Sequence, residues 1–209
     1  MKNILITGGA GYIGSHTAVE LIKAGYRPII IDDLSNTEEK VLERLREITG
    51  VQIPFYLGDC GDRSLLDQIA RDYELSGVIH FAAFKAVGES TQEPLKYYRN
   101  NVGSLIVLLE FMKAQAILDL VFSSSCTVYG QPDSLPVTED TLRKEAESPY
   151  GNTKKVCEDI LVDLIKSNSD LRIISLRYFN PIGAHPSGKI GELPRGIPNN
   201  LVPFVTQTA

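Results

Sequence analysis

The sequence predicts an α/β fold with a doubly wound parallel sheet, and three observations carry that prediction. Short apolar stretches typical of buried strands alternate with longer segments of helical periodicity along most of the 209 residues. A glycine-rich turn follows the first strand, and small or polar residues follow most later strands. Because parallel strands end at one edge of a sheet, those residues gather where open α/β sheets bind ligands.

The first strand–helix–strand unit is the most informative part of the chain. A strand over 3–7 leads into a glycine turn, the next helix stops at Gly25, and a second strand over 27–31 ends at Asp32. This is the order of a Rossmann-like dinucleotide-binding unit, in which the helix N-terminus faces a pyrophosphate. Asp32 suits an adenosine ribose and would repel a 2′-phosphate, which favours NAD over NADP. The turn has the glycines Gly8, Gly11 and Gly14.

The alternation of strands and helices continues along the rest of the chain and is lost near its end. Residues 1–184 are predicted to form an NAD-binding domain, and the irregular Gly- and Pro-rich segment 185–209 the start of a substrate-binding region. Further strands are predicted over 53–57, 78–81, 120–122 and 172–178, and further helices over 38–48, 64–73, 95–115, 149–166 and 200–208.

Composition excludes several classes of function. The net charge is −5 and Lys and Arg are not clustered, so no nucleic-acid partner is expected. No apolar run approaches the roughly 20 residues that span a bilayer, so no membrane association is expected. Three scattered cysteines indicate free thiols in a cytoplasmic protein, and three histidines without ligand spacing indicate no metal site.

The chemistry is predicted at the start of the helix over 149–166. Ser148 suits the N-cap and Pro149 the first turn. Tyr150 and Lys154 are four residues apart and therefore share one helix face. An ammonium beside a phenol favours the phenolate and lowers its pKa, which would make Tyr150 a general base.

These features together resemble the extended short-chain dehydrogenase/reductase family. Gly8-x-x-Gly11-x-x-Gly14 is that family's glycine spacing, and Tyr150-x-x-x-Lys154 is its catalytic pair. The resemblance implies NAD-dependent interconversion of UDP-glucose and UDP-galactose through a 4-keto intermediate, with Tyr150 as base and Ser125 relaying the proton. The chain is expected to lack most of the family's small C-terminal substrate domain. Finer motifs that carry the resemblance lie at 9–16, 80–90, 123–130, 177–181 and 196–201.

The same resemblance implies the binding residues. Lys154 would hold the nicotinamide ribose, and the UDP-sugar would contact Ser125 and Tyr150 together with Asn180, Asn200 and Leu201. A homodimer through paired long helices is also implied. The remaining cofactor contacts would be Gly8, Gly11, Tyr12, Ile13, Gly14, Asp32, Asp33, Asn36, Thr37, Asp59, Cys60, Phe81, Ala82, Ala83, Lys85, Asn100, Tyr150 and Phe179.

Three alternatives remain at this point. A nucleotide-sugar dehydratase would carry an acid pair after the strand, where this chain has Cys126 and Thr127. An ordinary dehydrogenase would exchange NAD at each turnover. A non-catalytic NAD-binding module would need no Tyr-Lys pair, although a shortened chain could be an inactive NAD-binding fragment.

Overall fold

The computed structural model describes residues 1–167, 170–194 and 201–208, and the paired strands within each of its two units are parallel. The chain forms two compact units, one of residues 1–82 with 180–209 and the other of residues 83–179. The strands are β1 (Asn3–Thr7), β2 (Arg27–Asp32), β3 (Phe55–Leu57), β4 (Leu75–His80), β5 (Asp119–Ser125) and β6 (Arg172–Tyr178). The α-helices are α1 (Tyr12–Lys23), α2 (Lys40–Thr49), α3 (Arg63–Asp72), α4 (Val87–Gln92), α5 (Pro94–Tyr97), α6 (Gly103–Ala114), α7 (Pro149–Lys166) and α8 (Leu201–Thr208).

The first unit contains four strands in the order β3-β2-β1-β4. Leu5 of β1 lies between Ile29 of β2 and Val78 of β4, and all three are buried, as expected for the centre of a parallel sheet. Strands β2 and β3 lie on one side of β1, and β4, the next strand along the chain, lies on its other side. Open α/β sheets bind ligands at such a switch point. Part of the core beneath α1 and α2 is a cluster of Ile6, Ala18, Val19, Ile30, Leu45, Ile53 and Ile190.

The second unit pairs β5 with β6, so that Ser125 stands opposite Tyr178. Helix α7 packs on β5 and buries the face that carries Lys154, Cys157 and Leu161. β5 ends in a short 3₁₀ turn, Cys126–Tyr129. This unit therefore brings the ends of two strands and the start of α7 together.

The predicted parallel α/β fold is confirmed, with one notable difference in the helix expected over 95–115. That segment is divided into α5, a π-helical turn over Tyr98–Val102, and α6. The extra residue of a π turn directs Asn101 inward, where its side chain is buried and bonds Phe84 and Thr153. Helix α4 was also not predicted. None of the helices in the described ranges has the length and hydropathy of a membrane span.

Candidate active site

The glycine turn between β1 and α1 is too crowded for side chains. Gly8 has φ +68°, and a Cβ there would lie 2.8 Å from the Ala82 backbone nitrogen. A Cβ on Gly14 would lie 2.3 Å from the Gly8 carbonyl oxygen. Gly11 is the N-cap of α1, and within the described residues no side chain caps this helix. The turn thus leaves backbone N–H groups at a helix N-terminus available to an anion.

Asp32 and Thr37 brace this turn from the end of β2. The Asp32 carboxylate accepts hydrogen bonds from the Ala10 N–H at 3.0 Å and the Leu34 N–H at 2.9 Å. The buried Thr37 hydroxyl donates to the Ala10 carbonyl at 2.9 Å. Burial raises the pKa of Asp32, while the hydrogen bonds from Leu34 and Ala10 oppose that rise. Both polar groups of the Ala10 backbone are therefore held by predicted cofactor residues.

The other predicted cofactor residues of the first unit differ in exposure. Tyr12 and Ile13 open α1, and the Tyr12 hydroxyl donates to the Gly183 carbonyl at 2.8 Å. The Ala82 N–H donates to the Thr7 hydroxyl at 3.3 Å, which fixes the end of β4. Cys60 is buried and Phe81 packs against the core. The exposed members of this set are Asp33, Asn36 and Asp59.

The structure describes two of the three predicted substrate residues of the first unit. Asn180 and Leu201 are exposed, and Asn200 lies outside the described residues. Their proposed contacts with a UDP-sugar stay predictions.

In the second unit, Ser125 and Tyr150 meet at the end of β5. The Ser148 side chain accepts a hydrogen bond from the Gly151 N–H, so it caps α7 as predicted, and Pro149 occupies the first turn. The Ser125 hydroxyl accepts a hydrogen bond from the Thr127 hydroxyl at 3.0 Å, and the Ser125 side chain interacts with the Tyr150 phenol in the direction that lowers its pKa. A serine and a tyrosine in contact can pass a proton between them.

Lys154 lies one turn further along α7 and is almost fully buried, at 4% exposure. Its ammonium donates to the Ser123 carbonyl at 2.8 Å and lies 5.0 Å from the centre of the Phe122 ring. Burial lowers the pKa of Lys154 to about 8. The three predicted catalytic residues therefore all lie where β5 ends and α7 begins.

The direction of the Tyr150 pKa differs from the sequence-based expectation. Burial raises this pKa, the hydrogen bond from Ser125 opposes the rise, and Cys126 adds to it. The Lys154 ammonium bonds the Ser123 carbonyl and is not among the groups that lower the pKa of Tyr150. In the protein by itself, the phenol is thus neutral at physiological pH.

The loop after β4 supplies the other predicted residues of this unit. Asn100 donates to the Asn101 side chain at 2.9 Å, and Asn101 bonds both the N–H and the carbonyl of Phe84. This places Asn100 beside the loop that contains Ala83 and Lys85. Among the predicted members, Ala83 and Asn100 are partly buried, and Lys85 and Phe179 are exposed.

Sequence reasoning missed Asn101, Glu158 and Arg177. Glu158 is buried and bonds Ser124 and Arg177. The sequence did carry a signal for Glu158, because Tyr150, Lys154 and Glu158 are spaced four residues apart and so share one helix face. Among the described residues, no group of three His, Cys, Asp or Glu side chains could hold a metal ion.

Comparison with known proteins agrees with the dinucleotide turn and with the cluster of Ser125, Tyr150 and Lys154 described above. Residues 4–202 match the model of the NAD dependent epimerase/dehydratase family. The chain belongs to that family.

Individual relatives show which members of the family this chain is similar to. The chain is 53% identical over 209 residues to UDP-glucose 4-epimerase of Neisseria meningitidis and 52% identical over 206 residues to that of Bacillus subtilis. It spans 62% and 60% of the length of those two proteins.

Solved structures give the same picture. UDP-glucose 4-epimerase of Bifidobacterium longum in complex with NAD⁺ and UDP superposes with a TM-score of 0.96 at 45% identity. The alignment covers 99% of this chain and 62% of that one. The Stenotrophomonas maltophila UDP-glucose 4-epimerase, with bound NAD and formylated UDP-arabinopyranose, gives a TM-score of 0.95 at 47% identity, with 99% and 61% covered.

Proposed function

We propose that this protein interconverts UDP-glucose and UDP-galactose, with NAD as a bound cofactor. The observation that carries the proposal is the cluster of Ser125, Tyr150 and Lys154 where β5 ends and α7 begins. The family membership and the names of the relatives support the same reaction.

The first unit fits a dinucleotide. Added Cβ atoms on Gly8 and Gly14 would collide with the backbone, so the turn is shaped for close approach of a phosphate. The N-terminal N–H groups of α1 would bind the pyrophosphate, and Asp32 the adenosine ribose. NAD, when bound, supplies a hydride acceptor that also returns the hydride.

The second unit carries the proton chemistry. Ser125 would bind the sugar 4-hydroxyl, and Tyr150, as phenolate, would take its proton through Ser125. With the hydride acceptor that NAD would supply, loss of the proton from O4 and of a hydride from C4 would give a 4-keto sugar. Return of the hydride to the opposite face of C4, and of the proton to O4, would give the epimer, so no net oxidation would result. Lys154 would hold the nicotinamide ribose, and the positive charge of oxidised nicotinamide would favour the Tyr150 phenolate when NAD is bound.

The same residues favour epimerisation over dehydration. A dehydratase needs an acid and a base to eliminate water, whereas Cys126 and Thr127 follow Ser125 here. Burial raises the pKa of the Cys126 thiol, so it is neutral and no strong acid. The predicted homodimer and cytoplasmic location belong to the same proposal.

The test supplies the protein with UDP-galactose and a trace of NAD. UDP-glucose should form without an added oxidant and be resolved from UDP-galactose by chromatography. Stoichiometric release of NADH would indicate a dehydrogenase, and a dehydrated sugar would indicate a dehydratase. NAD binding without turnover would indicate a binding module.

A further inference from the structure

Beside the candidate catalytic residues lies an ion pair between a buried carboxylate and a partly exposed arginine, to which the proposed reaction gives no role. Glu158 of α7 is 4% exposed. Burial raises the pKa of Glu158, but hydrogen bonds from Arg177 and then Ser124 outweigh it and hold the pKa below its usual value. The carboxylate is therefore ionised at neutral pH. Its two oxygens accept from Ser124 Oγ at 2.5 Å, Arg177 Nε at 2.9 Å, Arg177 Nη2 at 2.8 Å and Arg143 Nη1 at 3.2 Å.

The pair lies on the helix face that carries the proposed chemistry. Tyr150, Lys154 and Glu158 are at positions i, i+4 and i+8 of α7, so they occupy successive turns of one face. Lys154 bonds the carbonyl of Ser123, and Glu158 bonds the side chain of Ser124. Two consecutive residues of β5 before Ser125 are thus tied to this face.

Arg177 extends the same connection to the other side of Ser125. Its Nη1 donates to the Tyr129 hydroxyl at 2.9 Å, and its guanidinium lies 4.8 Å from the centre of the Tyr129 ring. Tyr129 ends the 3₁₀ turn that begins directly after Ser125. The Glu158–Arg177 pair therefore holds both flanks of Ser125 against α7.

We infer that Glu158, paired with Arg177, is a positioning residue that sets the contact between Ser125 and Tyr150. This inference rests on the proposed epimerase function. Neither residue of the pair would touch the sugar. An ion pair with a buried carboxylate is weak evidence for a stabilising role, because apolar residues of similar size are often as stable.

The first test needs no activity. In the 209-residue protein, amide hydrogen exchange is measured for Thr127, whose N–H donates to Ser125 Oγ, and for Gly130, whose N–H donates to the Thr127 carbonyl. In E158Q both amides should exchange at least about tenfold faster, because the turn opens locally. The Leu34 amide, which bonds Asp32, should be unchanged. Unchanged exchange at Thr127 and Gly130 would overturn the inference.

The matched control is D159N. Asp159 is the next residue of α7, is half-exposed, and shares the partner Arg143 with Glu158. In the part of the chain that the structure describes, Asp159 pairs with Arg143 and makes no hydrogen bond to Ser124 or Arg177. D159N should therefore leave exchange at Thr127 unchanged, and a change equal to that in E158Q would overturn the assignment to Glu158.

The second test separates positioning from stability in the epimerase assay. E158Q leaves the Arg177 charge without its partner and is expected to destabilise, whereas E158L/R177M replaces the pair with apolar side chains and should remain folded. Both variants should lose about 100-fold in kcat with little change in KM, as expected when reacting groups are misplaced. Loss of the Ser125 hydrogen bond should also move the rising limb of the pH–kcat profile to higher pH.

The outcomes are distinguishable. A folded E158L/R177M variant with normal kcat would overturn the inference even if its Thr127 amide exchanged faster. If the unmodified protein shows no epimerisation, the proposed function fails, and unchanged exchange at Thr127 in E158Q would then refute the anchoring separately.

Discussion

Gly14→Ala should damage the candidate dinucleotide turn through one added methyl group. The new Cβ would stand 2.3 Å from the Gly8 carbonyl oxygen and 2.7 Å from the Gly9 Cα, whereas real Cβ atoms essentially never approach within 3.0 Å. Both obstacles are backbone atoms, so the turn must shift as a whole. Overpacking of this kind costs about 1–3 kcal/mol of stability.

The same shift moves the N–H groups proposed to bind the pyrophosphate. A hydrogen bond to a charged group contributes about 1.5–3 kcal/mol. Loss of one such bond should raise the NAD Kd about 10- to 100-fold. Isothermal titration calorimetry of NAD into the variant and the unmodified protein measures this directly, and thermal unfolding measures the stability loss.

Gly103→Ala is the matched control. Gly103 begins α6 with φ −62°, and a Cβ there meets nothing within 4 Å. Because glycine in a helix costs about 0.5–1 kcal/mol relative to alanine, this substitution should stabilise the protein and leave NAD binding unchanged. If Gly14→Ala bound NAD as tightly as Gly103→Ala, the argument from the crowded turn would be wrong.

Three further substitutions test the proposed roles. Tyr150→Phe should lose at least about 100-fold in epimerisation, because the base is gone, and should keep its NAD affinity by calorimetry. Asp32→Asn should weaken NAD binding about tenfold, because an amide nitrogen cannot accept hydrogen bonds, whereas the exposed Asp33→Asn should change it less. Lys154→Met should raise the free energy of unfolding at pH 7, because burial disfavours the ammonium and lowers its pKa to about 8. Between about pH 8 and pH 10 that gain should shrink, since the unfolded state then binds more protons than the native state and the unmodified protein gains stability as pH rises.

Each of these has a clear contrary result. Near-normal turnover by Tyr150→Phe would remove it as the base. Equal NAD binding by the Asp32 and Asp33 variants would remove Asp32 as the ribose ligand. A stability difference between Lys154→Met and the unmodified protein that stays constant across pH 8–10 in urea titrations would show that Lys154 does not carry the lowered pKa.

The turn and the helix start were predictable because their signals are local. Gly8, Gly11 and Gly14 after a short strand, with an acid after the next strand, form a pattern that chain geometry alone imposes. Ser148 before a proline likewise marks a helix start that the structure confirms.

The rest depended on contacts between distant parts of the chain. The helical pattern over 95–115 gives no sign of a π turn, because Asn101 turns inward only where Phe84 and Thr153 meet it. Arg177 and Glu158 are 19 residues apart on different elements, so their pairing follows from how α7 packs on the strands. The raised pKa of Tyr150 is also a product of burial, which residue spacing does not reveal.

The Ala10 backbone makes two hydrogen bonds, one with Asp32 and one with Thr37, and these affect any redesign of cofactor preference. If Asp32 recognises the ribose, its replacement would be the obvious way to admit a 2′-phosphate. The same carboxylate also accepts a hydrogen bond from the Ala10 N–H, however, so its replacement would weaken the glycine turn proposed to bind the phosphates. Only the hydrogen bond from the Thr37 hydroxyl to the Ala10 carbonyl would remain. A switch to NADP would thus require a new acceptor for the Ala10 amide alongside the new specificity residue.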